Sequence, residues 1–273
     1  MSDLVLTGAR EADGRKRRRV RLPGLGPALG LLLPAALLGA WQAATALRLV
    51  GPDLLPSPAA VLRALAAEAA SGALTLHLQA TFGRLVLGFA LGAGAGTVLG
   101  GLAGASPLAR RLLDPTAQAL RAVPSIAWVP LFILWLGIFE GSKVALIALG
   151  VFFPVYLNLM SGIAGVDRKL IEVGRVLRLS PLGVLCRIQL PAALPAYVTG
   201  LRAGLGLGWM FVVAAELMGA SEGVGFLLTD GQTTGRPEVV IGAILLFAVC
   251  GKLTDLALAA AGGRLIAWQD TAR

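Results

Sequence analysis

The side chains in this sequence that could do chemistry are few, and most lie inside or beside apolar runs. There is one histidine, His77, and there are two cysteines, Cys186 and Cys250. Lys252 and Asp255 stand three apart in one apolar run, where a helix would let them pair. Arg84, Arg202 and Glu216 fall near the ends of other runs, where long side chains can reach back to water. A lone imidazole with scattered carboxylates assembles no hydrolytic site, and the expected catalytic set is empty. No phosphate-cradling Gly-rich loop ending in Lys-Ser/Thr, no His-Glu-x-x-His and no nucleophile elbow occurs. Two cysteines in such positions suggest neither a disulfide nor a metal framework, so neither metal nor cofactor is expected. The polar residues that remain are concentrated in one stretch, "IEVGRVLRLSPLGVLCRIQLPAALP" at 171–195, which is charged, punctuated by prolines and flanked by long apolar runs. Residues of that kind recognise a partner surface; they do not turn over a substrate.

The elements that must carry these residues are membrane helices. Of the 273 residues 56% are hydrophobic and 14% charged, against a charged fraction of about 25% in soluble domains. The apolar runs predict six crossings near 25–47, 82–104, 123–139, 144–163, 198–218 and 239–261. The chain then divides into a basic tail (1–24), a first crossing (25–47), an external loop (48–80), a core of five crossings (81–263) and a second tail (264–273). The third crossing is the shortest and contains Pro124 and Pro130, which only a packed bundle tolerates. With the N-terminus inside, the cytoplasmic pieces hold 7, 3, 5 and 2 Lys/Arg in chain order, against 4 on the other side. That asymmetry sets both termini in the cytoplasm and makes "RKRRRVR" (15–21) a topology determinant, not a nucleic-acid patch. The run behind it is too long for a cleaved signal peptide and is expected to remain as the first crossing. The fold class is an all-α polytopic bundle.

Three further patterns position the parts. Ser57-Pro58 opens an amphipathic helix expected on the external surface, with Val61, Leu62, Leu65 and Ala69 apolar. Gly88, Gly92, Gly96, Gly100 and Gly104 recur at a spacing of four, as do Gly200, Gly204 and Gly208, so two helices carry stripes against which another helix can pack closely. Between crossings four and five, Asp167 caps a helix through about Leu179, and Ser180-Pro181 opens a second through about Ile188. Pro191 and Pro195 are expected to end that helix and turn the chain into the fifth crossing. Two capped amphipathic helices in succession make a knob for a soluble partner's groove.

"EVGRVLRLSPLGVLCRIQLP" resembles the EAA motif of ABC importer permeases, in which Glu-Ala-Ala is followed by three residues, Gly, nine residues, Ile, one residue and Leu-Pro. Glu172, Ile188, Leu190 and Pro191 fall in register; Val173 and Gly174 replace the two alanines, and Arg178 stands at the glycine position. "LLPSPAAVLRAL", "VPSIAWVPLFILWLGIFEGSKVALIALGVFFPVYLN" and "VAAELMGASEGVGFLL" look like the nitrate, sulfonate, taurine and bicarbonate branch, most closely the aliphatic sulfonate permeases. The resemblance implies that the segment 167–191, by way of Glu172, Val173, Gly174, Arg178, Ile188, Leu190 and Pro191, docks on a cytoplasmic ATPase. It implies a multi-pass protein of a bacterial inner membrane, a second permease copy forming a homodimer, two ATPase subunits that bind ATP, and an external binding protein that delivers a small anion. Arg178 would cost the turn roughly 1 kcal/mol if that position is left-handed, unless the turn is built differently or Arg178 contacts the ATPase. Arg202, as an anion-facing residue, and Glu216 are the candidates for the translocation path. A secondary transporter or channel is the alternative, and it would need a coupling-ion site of which Lys252 and Asp255 offer only a pair.

Overall fold

A computed structural model describes residues 26–268, in which every regular element is a helix. Contacts divide the chain between Leu49 and Val50. The first unit contains α1 (Gly26–Ala46), an apolar helix of 21 residues with Pro34 inside it.

The second unit begins with α2 (Pro58–Ala70), capped by the Ser57 hydroxyl, which accepts from the Ala60 N–H. Val61 is buried and Ala64, Leu65 and Glu68 are half-buried on the same face, while Leu62 and Ala69 are exposed. Leu65 lies over Gly242, and Glu68 pairs with Arg236 at 3.0 Å. The helix expected on the membrane surface is therefore packed onto the bundle, because an acid with a specific cationic partner can turn inward.

The long helices follow: α3 (Ala73–Ala105), α4 (Pro107–Ala122), α5 (Trp128–Leu136) and α6 (Glu140–Ala164). α3 and α6 run parallel. Positions for a Cβ on Gly88, Gly96, Gly100 and Gly104 fall against Ile147, Val155, Tyr156 and Ile163 in rising order. Gly92 and Gly96 meet backbone carbonyls of α6, so the absence of side chains on α3 is what brings the two backbones together. Parallel packing has a topological consequence. The chain leaves α3 at the Ile163 end and enters α6 at the opposite end, so residues 106–139 must run back along the bundle. They do so in two pieces, not as the single crossing expected at 123–139. Val123-Pro124 breaks the helix, a 3₁₀ turn covers Ser125–Ala127, and the nine residues of α5 reach only about 14 Å. α4 supplies the rest, tied to the end of α3 by Arg110, whose guanidinium donates to the carbonyls of Ala103 and Gly104.

After α6 come α7 (Arg168–Val176), the short α8 (Pro181–Val184), a π turn over Leu185–Gln189 and α9 (Leu190–Leu217). Contrary to expectation, Pro191 and Pro195 do not end the helix, which runs without interruption from Pro181 to Leu217. The π turn explains the difference at Pro191. The Leu190 N–H bonds the Leu185 carbonyl five residues back, and the widened ring makes room for Pro191, whose i−4 carbonyl, that of Arg187, lies in the turn; Pro195 sits inside regular α-helix. α9 is antiparallel to α6 and presents Gly200, Gly204 and Gly208 to Asn158, Val151 and Ile147. α6 is thus held between two glycine-striped helices, and Ile147, Val151 and Val155 are fully buried. α10 (Val224–Thr233) and α11 (Pro237–Leu265) complete the chain, with the Trp209 indole of α9 donating to Thr254 of α11 at 2.8 Å.

Among the described residues, four helices are long and apolar enough to cross a membrane: Ala73–Ala105, Glu140–Ala164, Pro181–Leu217 and Pro237–Leu265. Their outer faces, including Leu87, Leu91, Met210, Val249 and Leu253, are exposed leucines, valines and methionines suited to lipid.

Candidate functional site

The two ends of the bundle are built differently. At the end where α3 and α6 terminate, α7 begins at Asp167, whose carboxylate accepts from the Lys169 N–H. It closes in a Schellman turn: the Leu179 N–H bonds the Gly174 carbonyl and the Arg178 N–H bonds that of Arg175. Arg178 occupies the left-handed position of that turn, with φ of 55°. The turn is the one a glycine would make, and an arginine makes it. Ser180 then caps α8 by accepting from the Gly183 N–H.

α7 lies back on the helix that follows. A Cβ on Gly174 would fall within 2.5 Å of Ile188 Cδ1 and 3.2 Å of Val184 Cγ2. The motif positions Gly174 and Ile188 are therefore in contact, and Ile188 fills the place where an alanine methyl would stand. Leu190 and Pro191 line an apolar recess with Leu159 and Tyr197. On the outer side Glu172 pairs with Arg168 at 3.3 Å. Around that pair Leu170, Val173, Val176, Leu177 and Leu182 stand exposed, Val176 at 81%. This patch lies past the ends of α3 and α6, where water and not lipid would meet it. An apolar patch rimmed by Arg168, Glu172 and Arg175 has the composition of an interaction surface.

At the opposite end is an ionic network that the sequence did not disclose, with Arg84 and Glu216 buried and Glu140 open to the outside of the protein. Arg84 (6% exposed) and Glu216 (1%) are both buried, so neither reaches out to water as expected. The Arg84 guanidinium donates to both oxygens of Glu140, at 2.6 and 2.9 Å, to Glu216 Oε1 at 2.8 Å and to the Glu222 carbonyl at 2.6 Å. Glu216 also accepts from the Thr81 hydroxyl and the Gly225 N–H. The start of α10 is completed by side chains from α3, as the Gly223 N–H donates to His77 Nδ1 and the Val224 N–H to Thr81. Lys143 donates to Glu140 at 3.0 Å. Arg84 is suited to the role because a planar fork with five donors can serve two carboxylates at once. Glu216, proposed from sequence as a path residue, has both oxygens occupied here.

The second path candidate is also engaged. Arg202 forms a bidentate pair with Asp255, both bonds at 2.9 Å. Asp255 thus pairs across two helices, and not with Lys252 on its own helix. The fork of Arg202 matches a carboxylate in both angle and spacing, whereas an ammonium three residues away offers a single point charge. Cys186 and Cys250 are free thiols.

A family model described as binding-protein-dependent transport system inner membrane component matches residues 96–266. An aliphatic sulfonates transport permease protein of Bacillus subtilis (strain 168) is 44% identical, over 96% of this chain and 92% of its own length. The taurine transport system permease protein of Escherichia coli (strain K12) is 37% identical, over 86% and 87%. A nitrate import permease protein of Leptolyngbya laminosa is 32% identical, over 70% and 68%.

Proposed function

Since this chain belongs to the family of binding-protein-dependent transport system inner membrane components and is a permease subunit of an ABC importer, we propose that it carries a small anion across the inner membrane and is driven through the segment 167–191 by a cytoplasmic ATPase. The observation that carries this reading is the exposed apolar patch of α7 and α8, mounted directly on the continuous helix that includes α9. The patch supplies apolar contact, the charged rim supplies register, and the helix beneath it leads to the far end of the bundle.

Orientation follows from the charges. The Lys and Arg residues of 105–122 and 164–197 flank the patch, which supports a cytoplasmic placement for that end. The core then crosses five times, with α4 and α5 sharing the second passage, and α1 makes a sixth crossing that leaves both termini inside. The transporter pairs two copies of this chain with two ATP-binding subunits and takes its substrate from an external binding protein. The substrate belongs to the sulfonate, taurine, nitrate or bicarbonate class, the sulfonates foremost, because the aliphatic sulfonates permease of B. subtilis shares 44% of aligned residues. The acid of the Lys252/Asp255 pair, the one candidate coupling site for a carrier independent of an ATPase, is bonded to Arg202.

The test is affinity purification of the tagged chain from its native membranes in mild detergent, with mass identification of what co-elutes. An ATP-hydrolysing subunit should accompany the wild type and be lost with Glu172→Lys. Elution of a folded permease alone in both cases would overturn the reading.

A further inference from the structure

Where α4 meets α6, two buried polar atoms have no hydrogen-bond partner among the described residues. They are the hydroxyl of Tyr156, a residue 1% exposed, and Oδ1 of Asp114. Leu113 and Ala117 of α4 pack with Tyr156 in one apolar cluster, and Asp114 lies between them in the chain, one turn before Ala117. The charges that act on the Tyr156 hydroxyl are those of Asp114 and Arg110. Arg110 is engaged by the carbonyls of Ala103 and Gly104, which leaves Asp114 as the complement of the phenol. The phenol has a proton to donate and the carboxylate only accepts, and leaving either unmatched in an apolar setting is costly.

The two groups are held very differently. The Tyr156 ring stacks on Phe152 at 5.6 Å between centroids, and its backbone lies against Gly100 of α3, so the hydroxyl is presented from a rigid surface. α4 is lightly held. Of its 16 residues only Ala117 is fully buried, and Arg110 ties its first half to the end of α3. Pro115, next to Asp114, has no N–H for the Arg111 carbonyl, so the helix yields at the point where the carboxylate would have to shift. Segments with few buried contacts are the ones that move most readily. The end of α4 is also a wall, for Arg121 and Val123 line a recess with Phe153 and Leu157 of α6 and Phe211 of α9.

We propose that Asp114 and Tyr156 are the two halves of a latch: in another step of the transport cycle α4 turns about its tie at Arg110, the Tyr156 hydroxyl donates to Asp114, and the wall of the recess moves with α4. The arrangement described above is the unlatched one. Its two unmatched groups raise its energy, and a charge-assisted bond is gained when the latch closes. The proposal rests on the importer reading and gives it a moving part.

The test uses the complete transporter, purified with its ATPase and binding protein and reconstituted in proteoliposomes with labelled 1-butanesulfonate as probe, together with melting of the detergent-solubilised permease. Tyr156→Phe removes an unbonded hydroxyl, so it should melt at or above the wild-type midpoint while lowering ATP-dependent uptake at least about fivefold. Asp114→Asn keeps an acceptor oxygen and should retain more uptake than Asp114→Ala. With Cys186→Ser and Cys250→Ser as background, the pair Tyr156→Cys and Asp114→Cys should cross-link to different extents in nucleotide-free transporter and in transporter trapped with ATP and vanadate. Undiminished uptake by Tyr156→Phe overturns the proposal, as does equal cross-linking in the two states. A lowered midpoint for Tyr156→Phe also overturns it, because water would then already bond the hydroxyl and the pair would be structural. Each of these leaves the importer reading intact. Wild-type uptake that needs no ATPase overturns that reading, and the latch with it.

Discussion

Arg84 and Glu216, 132 positions apart in sequence, meet at 2.8 Å where Glu216 is 1% exposed. Breaking a buried pair by removing one partner costs roughly 3 kcal/mol where it leaves the other charge unpaired; Arg84 keeps its two bonds to Glu140, so the loss here should be smaller. Glu216→Gln should therefore lower the thermal midpoint of the detergent-solubilised permease. The double variant Arg84→Gln with Glu216→Gln should lose less than the two single losses combined. Additive losses in that cycle, read by thermal unfolding, would show that the two side chains are not coupled.

The glycine stripe of α3 makes a sharper distinction. A Cβ on Gly100 would come within 2.7 Å of the Tyr156 carbonyl oxygen, and the obstacle is backbone; one on Gly94 would meet nothing within 4 Å. Gly100→Ala should sharply reduce the yield of monodisperse permease in size-exclusion chromatography. Gly94→Ala should leave the yield unchanged or raise it, since alanine favours helix by about 1 kcal/mol over glycine.

Arg178 holds φ at 55° in a turn that glycine adopts freely. Arg178→Gly should stabilise the permease by up to about 1 kcal/mol. If the arginine is kept for contact with an acidic patch on the ATPase, the same variant will capture less ATPase while melting higher. A variant that melts higher and captures the ATPase normally would leave Arg178 without a contact role.

Arg202, Asp255 and Lys252 can be separated by substitution. Lys252→Met should be neutral within about 0.5 kcal/mol. Asp255→Asn should lower the thermal midpoint more than Lys252→Met does, because it breaks the bidentate pair with Arg202. The exchange of Arg202→Asp with Asp255→Arg should recover part of that loss, and equal effects of Lys252 and Arg202 variants would restore the pairing within α11.

Cys186 is exposed on the turn beside α8. A membrane-impermeant maleimide should label it in inverted membrane vesicles and spare it in intact cells. Labelling from the outer face would reverse the orientation.

The parts legible in the sequence are those whose signals are local. The caps at Ser57, Asp167 and Ser180, the spacing of glycines and the positions of Pro58 and Pro181 all act within a few residues, and each element forms where those signals place it. α10 had no such signal. Its cap residue is Gly223, which has no side chain, and its first N–H groups are satisfied by His77 and Thr81, more than 140 positions away. The pairing of Asp255 failed for the same reason: Lys252 was near in sequence and Arg202 was near in space. Pro191 misled because a proline is read as a stop, and the π turn that accommodates it is a property of five backbone units with no residue signature. In the candidate site, the contact of Gly174 with Ile188 makes physical sense of the spacing between two motif positions.

The uninterrupted helix from Pro181 to Leu217 also behaves as a beam. Its 37 residues extend about 55 Å, so a tilt of about 5° at the α8 end would carry the Glu216 end sideways by about 5 Å. The network at Glu216 clamps that far end to α3, α6 and α10, so such a tilt would load the clamp before anything else moves. A push on a surface knob would then arrive, amplified by length, at a joint on the opposite side of the membrane. The strength of that joint would set the force at which the far end lets go.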